Sequence, residues 1–233
     1  MKLLNLEWHA IRAALNADGV ATIPGLLDAK HCVAMRERYD DGGKTAFRSR
    51  VVMQRHGYGR GEYRYFDYPL PPLVQALRER VYPQLVPLAN SWAERLGESQ
   101  RYPETHAEFV ERCAAAGQLR PTPLLLRYGP GDYNCLHQDL YGEHAFPLQM
   151  VVLLSAPQEE FSGGEFLLVE QRPRMQSRAR VVPLQRGDAA IFAVHRRPVA
   201  GSRGDYRVMV RHGVSELRSG GRSTLGVIFH DAR

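Results

Sequence analysis

Pro147-Leu148-Gln149-Met150-Val151-Val152-Leu153-Leu154-Ser155 is a nearly unbroken apolar run of strand length, closed by proline on one side and serine on the other. So short a run, between turn formers, reads as a buried β-strand. Runs of the same kind recur around it from Thr122 onward, at 123–128, 164–170, 181–184, 189–194, 206–211 and 223–229, separated by Gly, Pro, Asp and Ser. Seven strands in roughly 110 residues predict a sandwich, barrel or jelly roll rather than a βαβ fold.

Upstream of Thr122 the texture is mainly helical. Leu6, Ile11 and Leu15 before Gly19 outline a short amphipathic helix with a glycine stop. Residues 20–25 read as a short strand, and Asp28 can cap a second helix carrying Val33, Met35 and Tyr39. Residues 72–96 are helix-like with an interruption at Tyr82-Pro83, and 103–116 open as a helix does, with Pro103 and Glu104 at the start. The expected class is α+β: a helical support or lid region at 1–120 and a β-core at 121–233, packed as one unit.

The composition of the 233 residues, 44% hydrophobic and 24% charged, supports a full core and excludes wholesale disorder. No stretch approaches the roughly 18 apolar residues of a membrane span. The first eight residues meet Glu7 before a signal-type core forms, so a cytoplasmic protein without a membrane partner is expected. Cys32, Cys113 and Cys135 are odd in number and lack CxxC spacing, which argues against a disulfide framework or a cysteine zinc site. The net charge of +6 favours anionic partners. Lys2, Lys30 and Lys44 are the only lysines, and arginine suits forked contacts to carboxylate or phosphate.

His137-Gln138-Asp139 sets two ligand-bearing residues two apart, so on extended chain both side chains leave the same face. His212, at the end of a predicted strand, is the best third ligand, with His195 as the runner-up. Two imidazoles and a carboxylate on one side of an ion leave open positions opposite, as non-haem Fe(II) oxygenases require. Arg222 follows His212 across the turn Arg218-Ser219-Gly220-Gly221, which implies a hairpin that brings it beside the His212 strand. A buried arginine there can hold the far carboxylate of a dicarboxylic cosubstrate, with Ser223 or Thr224 adding a hydroxyl. Cys135 could share the face of His137, and Glu143-His144 could line a mouth. His230-Asp231, as neighbours, face opposite ways and read as structural. No GxSxG elbow and no P-loop Lys-Ser/Thr is present.

Taken together, His137, Asp139, His212 and Arg222 resemble the pattern of the Fe(II)/2-oxoglutarate-dependent dioxygenases over residues 122–231. Gly163-Gly164-Glu165-Phe166 is similar to the GGE strand start of prolyl-hydroxylase relatives, and Gly187-Asp188 to the strand that precedes their distal His. Tyr128, nine residues before His137, looks like the 2-oxoglutarate-contacting Tyr of AlkB-type nucleic-acid demethylases. The whole chain resembles a bacterial family proposed to demethylate damaged nucleic acid oxidatively. The resemblance implies a double-stranded β-helix core with Fe(II) held by the catalytic residues His137, Asp139 and His212. It implies 2-oxoglutarate fixed by Arg222, Tyr128 and Thr224, with O2 as co-reactant and ascorbate as an accessory reductant. The implied reaction hydroxylates a substrate C–H with release of succinate and CO2.

Leu126 stands where the AlkB pattern has Asn, and a single Arg at prolyl-hydroxylase spacing replaces two later ones. Three readings therefore stay open: a demethylase of alkylated nucleic acid or nucleotide, a protein side-chain or small-molecule hydroxylase, and a non-catalytic iron- or oxygen-sensing module. The clusters 48–66 and 172–186 interleave arginines with aromatics or strands. Each reads either as a solvated, ion-paired loop or as a contact to phosphates and bases.

Overall fold

The computed structural model describes residues 6–202 and 204–233; residues 1–5, most of the stretch read above for a signal, lie outside the described residues. In chain order the first half gives α1 (Trp8–Asp18), β1 (Val20–Ile23), α2 (Ala29–Glu37), β2 (Phe47–Val52), β3 (Gly59–Arg60), β4 (Glu62–Phe66), α3 (Pro72–Arg95) and α4 (His106–Ala115). The second half gives β5 (Leu124–Tyr128), β6 (Tyr133–His137), β7 (Leu148–Leu153), β8 (Phe161–Gly163), β9 (Phe166–Gln171) and β10 (Arg178–Val182). It ends with β11 (Ala189–Ala193), β12 (Arg196–Gly201), β13 (Gly204–Val214), β14 (Leu217–Gly220) and β15 (Arg222–Val227).

The strands pair antiparallel into a seven-stranded sheet ordered β1-β11-β7-β15-β5-β4-β2 and a six-stranded sheet built on β10-β9-β13-β6-β3, with β12 beside β13. This is the expected jelly-roll architecture. Alternation sorts the seven-stranded sheet: Leu125, Val152, Ile191 and Leu225 join Val74, Leu77, Val81 and Leu85 of α3 in one buried apolar cluster. Residues of the opposite parity, among them Leu124, Leu126, Val151 and Thr224, line a cavity between the sheets. Each fully buried Leu or Val side chain in such a cluster contributes about 1.5–3 kcal/mol. No helix among the described residues is long and apolar enough to cross a membrane.

Two local expectations hold closely. α1 ends on Gly19 in the left-handed conformation, its N–H donating to the Leu15 carbonyl, and the Asp28 side chain caps α2 by accepting from the His31 N–H at 2.9 Å.

The mainly helical reading of residues 1–120 holds, with all four helices there, and the strand expected at 20–25 is β1; what it missed are β2 and β4, which join the seven-stranded sheet, and β3, which joins the six-stranded one. β2, β3 and β4 are half-polar and carry Arg, Glu and Gly, so no apolar run marked them. The expected interruption at Tyr82-Pro83 is absent, since α3 runs through both Pro83 and Pro87. Its buried residues Val81, Tyr82, Leu85 and Val86 flank the prolines, and tertiary packing there outweighs the lost backbone bonds. The apolar reading also missed β6, whose five residues are all exposed or half-buried.

Candidate functional site

β6 ends on His137, and the β13–β6 ladder sets His212 directly opposite it. The two imidazoles lie with ring centroids 4.2 Å apart. Just past His212, and just before His137, the register shifts at Gly213, where a Cβ would come within 2.7 Å of the Asn134 carbonyl oxygen, so only glycine allows this close approach of strands. Two residues past His137, the Asp139 carboxylate turns back between the rings, Oδ1 3.6 Å from His137 Nε2 and Oδ2 3.3 Å from His212 Nε2. The three donor atoms lie within 4.8 Å of one another, close enough to share one ion.

Hydrogen bonds fix this donor set. His137 Nδ1 donates to the Cys135 carbonyl at 2.7 Å, which leaves the Nε2 lone pair facing Asp139. The Tyr141 hydroxyl donates to Asp139 Oδ1 at 2.6 Å, and Gln149 Nε2 donates to Oδ2 at 2.9 Å while lying 3.2 Å from His212 Nε2. Burial opposes the Asp139 charge. The hydrogen bond to His212, both imidazoles and the Tyr141 hydroxyl outweigh it and hold the carboxyl well below the usual range. Burial, followed by the neighbouring His212, pushes the His137 pKa down and so favours the neutral, ligating form.

The hairpin predicted from the Arg218–Arg222 turn takes another form. β14 pairs with β8, and β15 runs between β5 and β7. Arg222 opens β15 opposite Tyr128 of β5, its guanidinium carbon 5.4 Å from the ring centroid. Gly164 makes room for it: its φ is +63° and a Cβ there would sit 3.0 Å from Arg222 Cδ. Arg222 is 2% exposed, and its Nε and Nη1 have no hydrogen-bond partner among the described residues. Burial pushes the pKa of this guanidinium down, as expected of a buried cation that forms no ion pair among the described residues. The Tyr128 hydroxyl accepts from Asn134 Nδ2 at 3.4 Å and is itself pushed up to about 12 by burial, so it stays protonated.

One cavity of about 560 Å³ is lined by all six residues to which the resemblance assigns the metal or 2-oxoglutarate: His137, Asp139, His212, Arg222, Tyr128 and Thr224. His195 is not in the donor cluster; it lines a separate pocket beside Arg196, so the geometry favours His212 as the third donor. Cys135 lines the cavity too. Glu143 does not, because it faces Arg233 at 3.8 Å, and the His144 backbone is held by Gln118. His230 and Asp231 are structural: His230 Nδ1 accepts from the Phe146 N–H, and Asp231 forms a buried ion pair with Arg78.

Sequence reasoning missed Gln149 and Tyr141. A lone amide inside the otherwise apolar run of β7 was a usable signal, and so was a tyrosine two residues past a ligand. Of the two arginine-rich clusters, 48–66 supplies Arg48, Tyr58, Tyr63 and Tyr65 to the cavity wall. In the other cluster, Arg180 pairs with Asp18 and Arg186 lies 3.8 Å from Glu160, and neither lines the cavity.

Residues 61–232 match the family model Oxygenase-NA, described as an oxygenase catalysing oxidative methylation of damaged DNA. An uncharacterized protein of Mycobacterium tuberculosis, found in two strains, is 48% identical over 167 residues, covering 72% of each chain. Among solved structures, a Pseudomonas putida prolyl-4-hydroxylase aligns with a TM-score of 0.55 at 16% identity, covering 97% of this chain and 99% of that one. A Burkholderia pseudomallei oxidoreductase of the 2OG-Fe(II) oxygenase family gives 0.54 at 14% identity, covering 100% and 95%. These two likenesses are of fold.

Proposed function

The chain belongs to the Oxygenase-NA family, and on that premise we propose that this oxygenase is Fe(II)- and 2-oxoglutarate-dependent and removes N-methyl groups from nucleic acid. One observation carries the cofactor assignment: a buried arginine with two unpartnered nitrogens lines the same cavity as two imidazoles and a carboxylate grouped on one point. The donor set fits a divalent iron with open positions. The orphaned guanidinium fits the distal carboxylate of a dicarboxylic acid, which accepts paired N–H bonds.

When bound, Fe(II) and 2-oxoglutarate supply the means to convert a substrate C–H and O2 to C–OH, with 2-oxoglutarate leaving as succinate and CO2. His137, Asp139 and His212 would hold the metal, with Tyr141 and Gln149 fixing the carboxylate. Arg222 and the Thr224 hydroxyl would bind the far end of 2-oxoglutarate, and Tyr128 would close that end off from water. Hydroxylation of an N-methyl group leaves a hemiaminal, which breaks its C–N bond to give formaldehyde and the unmethylated base. The family description, together with the three tyrosines and one arginine that the 48–66 stretch adds to the cavity wall, supports a base as the substrate.

The test is succinate and formaldehyde release from Fe(II)-loaded protein with 2-oxoglutarate and O2, using methylated or plain single-stranded oligonucleotides and Asp139→Ala as the blank. Release of both products, stimulated only by the methylated strand, is expected. Succinate release indifferent to the oligonucleotides would move the substrate to proteins or metabolites. No release above the blank would remove the enzyme assignment of this cavity.

A further inference from the structure

β2, β4 and β5 together carry four arginines, and three of them are committed. Arg50 pairs with Glu62, Arg64 with Asp40, and Arg127 with both acids, all on the face away from the cavity. Arg48 has the parity of Arg50 and in a regular strand would join them. The β2–β4 register instead shifts between Phe47 and Ser49, placing one extra residue in β2 at Arg48. A bulge of this kind re-aims a side chain, and Arg48 lines the cavity that holds the metal donors.

Among the described residues no carboxylate lies within 4.0 Å of the Arg48 guanidinium. Its Nε donates to the Pro121 carbonyl at 2.7 Å, and its carbon lies 4.1 Å over the centre of the Tyr65 ring. Tyr65 meets Tyr63 edge-on at 5.2 Å and Tyr141 edge-on at 6.2 Å, so the wall around Arg48 is aromatic. On the same arm, Tyr58 stacks on His56 and is half exposed beside Arg55 and Arg60.

We propose that Arg48 is an anion subsite of the cavity, set by the bulge in β2 to hold the phosphate beside the base presented to the metal, with Tyr65 as its platform. The inference rests on the nucleic-acid reading above and goes further, assigning one phosphate contact to one residue. A ring-bearing anion is what an arginine stacked on a tyrosine wall recognises. In a nucleotide the ring and the anion come joined; in a protein substrate they would need an acidic residue next to the target side chain.

The test is anaerobic binding of an N-methylated single-stranded oligonucleotide to protein loaded with Fe(II) and 2-oxoglutarate, followed across salt concentration. Removing one phosphate contact from a single strand lowers the slope of log K against log salt by about 0.7. Arg48→Gln is expected to lose that amount and to bind at least fivefold more weakly, while Arg48→Lys keeps the slope. Arg48→Gln with unchanged slope and affinity overturns the proposal and leaves the nucleic-acid reading intact. Wild-type protein that binds no oligonucleotide overturns that reading itself, as does an Arg48-dependent slope seen with an acidic peptide alone. A second measurement needs no variant: a methylated 5′-mononucleotide is expected to bind at least tenfold more tightly than its nucleoside, and equal affinities overturn the subsite.

Discussion

Arg78 and Arg222 are both buried, at 0% and 2% exposure, yet their surroundings treat the charge in opposite ways. In the corner where α3 meets the C-terminal segment, Arg78 donates to Asp231 at 2.7 Å, to the Phe229 carbonyl at 2.9 Å and to the Tyr68 hydroxyl at 3.1 Å, and Tyr68 in turn donates to Asp231. In the cavity, Arg222 has a tyrosine ring nearby, no carboxylate ion pair among the described residues, and two unpartnered nitrogens. A buried charge alone therefore does not mark a site. A buried charge left without its counter-ion, in a space large enough to admit one, does.

The comparison breaks most sharply at Asp231. Asp231→Ala would strand the Arg78 charge in the core, and loss of one partner of a buried pair costs about 3–5 kcal/mol. Urea unfolding is expected to show that loss. A change below about 1 kcal/mol would mean that Phe229 and Tyr68 suffice, and the two arginines would then differ less than their partners suggest.

Arg222→Met is the counterpart, and its effects are expected to separate. With no protein partner stranded, stability should hold or rise, because apolar replacement of a buried charge is often neutral or stabilising. The half-saturating 2-oxoglutarate concentration should rise by at least 30-fold, since a truncated buried charge contact costs about 2–5 kcal/mol. Unchanged 2-oxoglutarate dependence would refute the role given to Arg222.

A third difference is acid sensitivity. His106 and His230 flank the Arg78 corner; burial, then the neighbouring Arg78 charge, lowers His106 to about 3, and burial lowers His230 to about 4. Both folded values lie below the ordinary 6.5, so the unfolded chain takes up these protons first. Their contribution is complete above about pH 6.5 and is lost as pH falls toward 4, at about 1.4 kcal/mol per pH unit for each histidine. Urea titrations at pH 7 and pH 5 should show this, with a smaller difference in His230→Asn.

How much of this was legible depends on what each residue's position requires. The candidate donor cluster was readable because a two-residue spacing on extended chain forces His137 and Asp139 to one face, and Arg222 because it follows the strand that carries His212. Gln149 and Tyr141 act through Asp139: the tyrosine lies two residues past it and the amide is the one polar residue inside the apolar run of β7, but neither position by itself says that its side chain meets the carboxylate. Arg48 was visible as part of a basic, aromatic stretch. Its direction was not, since strand alternation alone points it outward with Arg50 and only the bulge, set by pairing with β4, turns it in. β2, β3 and β4 were hidden for a related reason: they complete sheets begun elsewhere in the chain and need little apolar character of their own.

The smallest expected effect tests whether the cavity anion site is one unit. Thr224 is buried on the cavity-facing side of β15, two residues from Arg222 and opposite Leu126 of β5. If its hydroxyl donates to the carboxylate that Arg222 holds, Thr224→Val removes one hydrogen bond of about 0.5–1.5 kcal/mol and raises the half-saturating 2-oxoglutarate concentration roughly 2- to 12-fold. The two groups would then share one partner, so in Arg222→Met the Thr224→Val change should have a clearly different effect from the one it has in wild type. Full additivity within about 0.5 kcal/mol would mean independent sites. Thr224 would then be a packing residue, and the contrast with the Arg78 corner would rest on Arg222 alone.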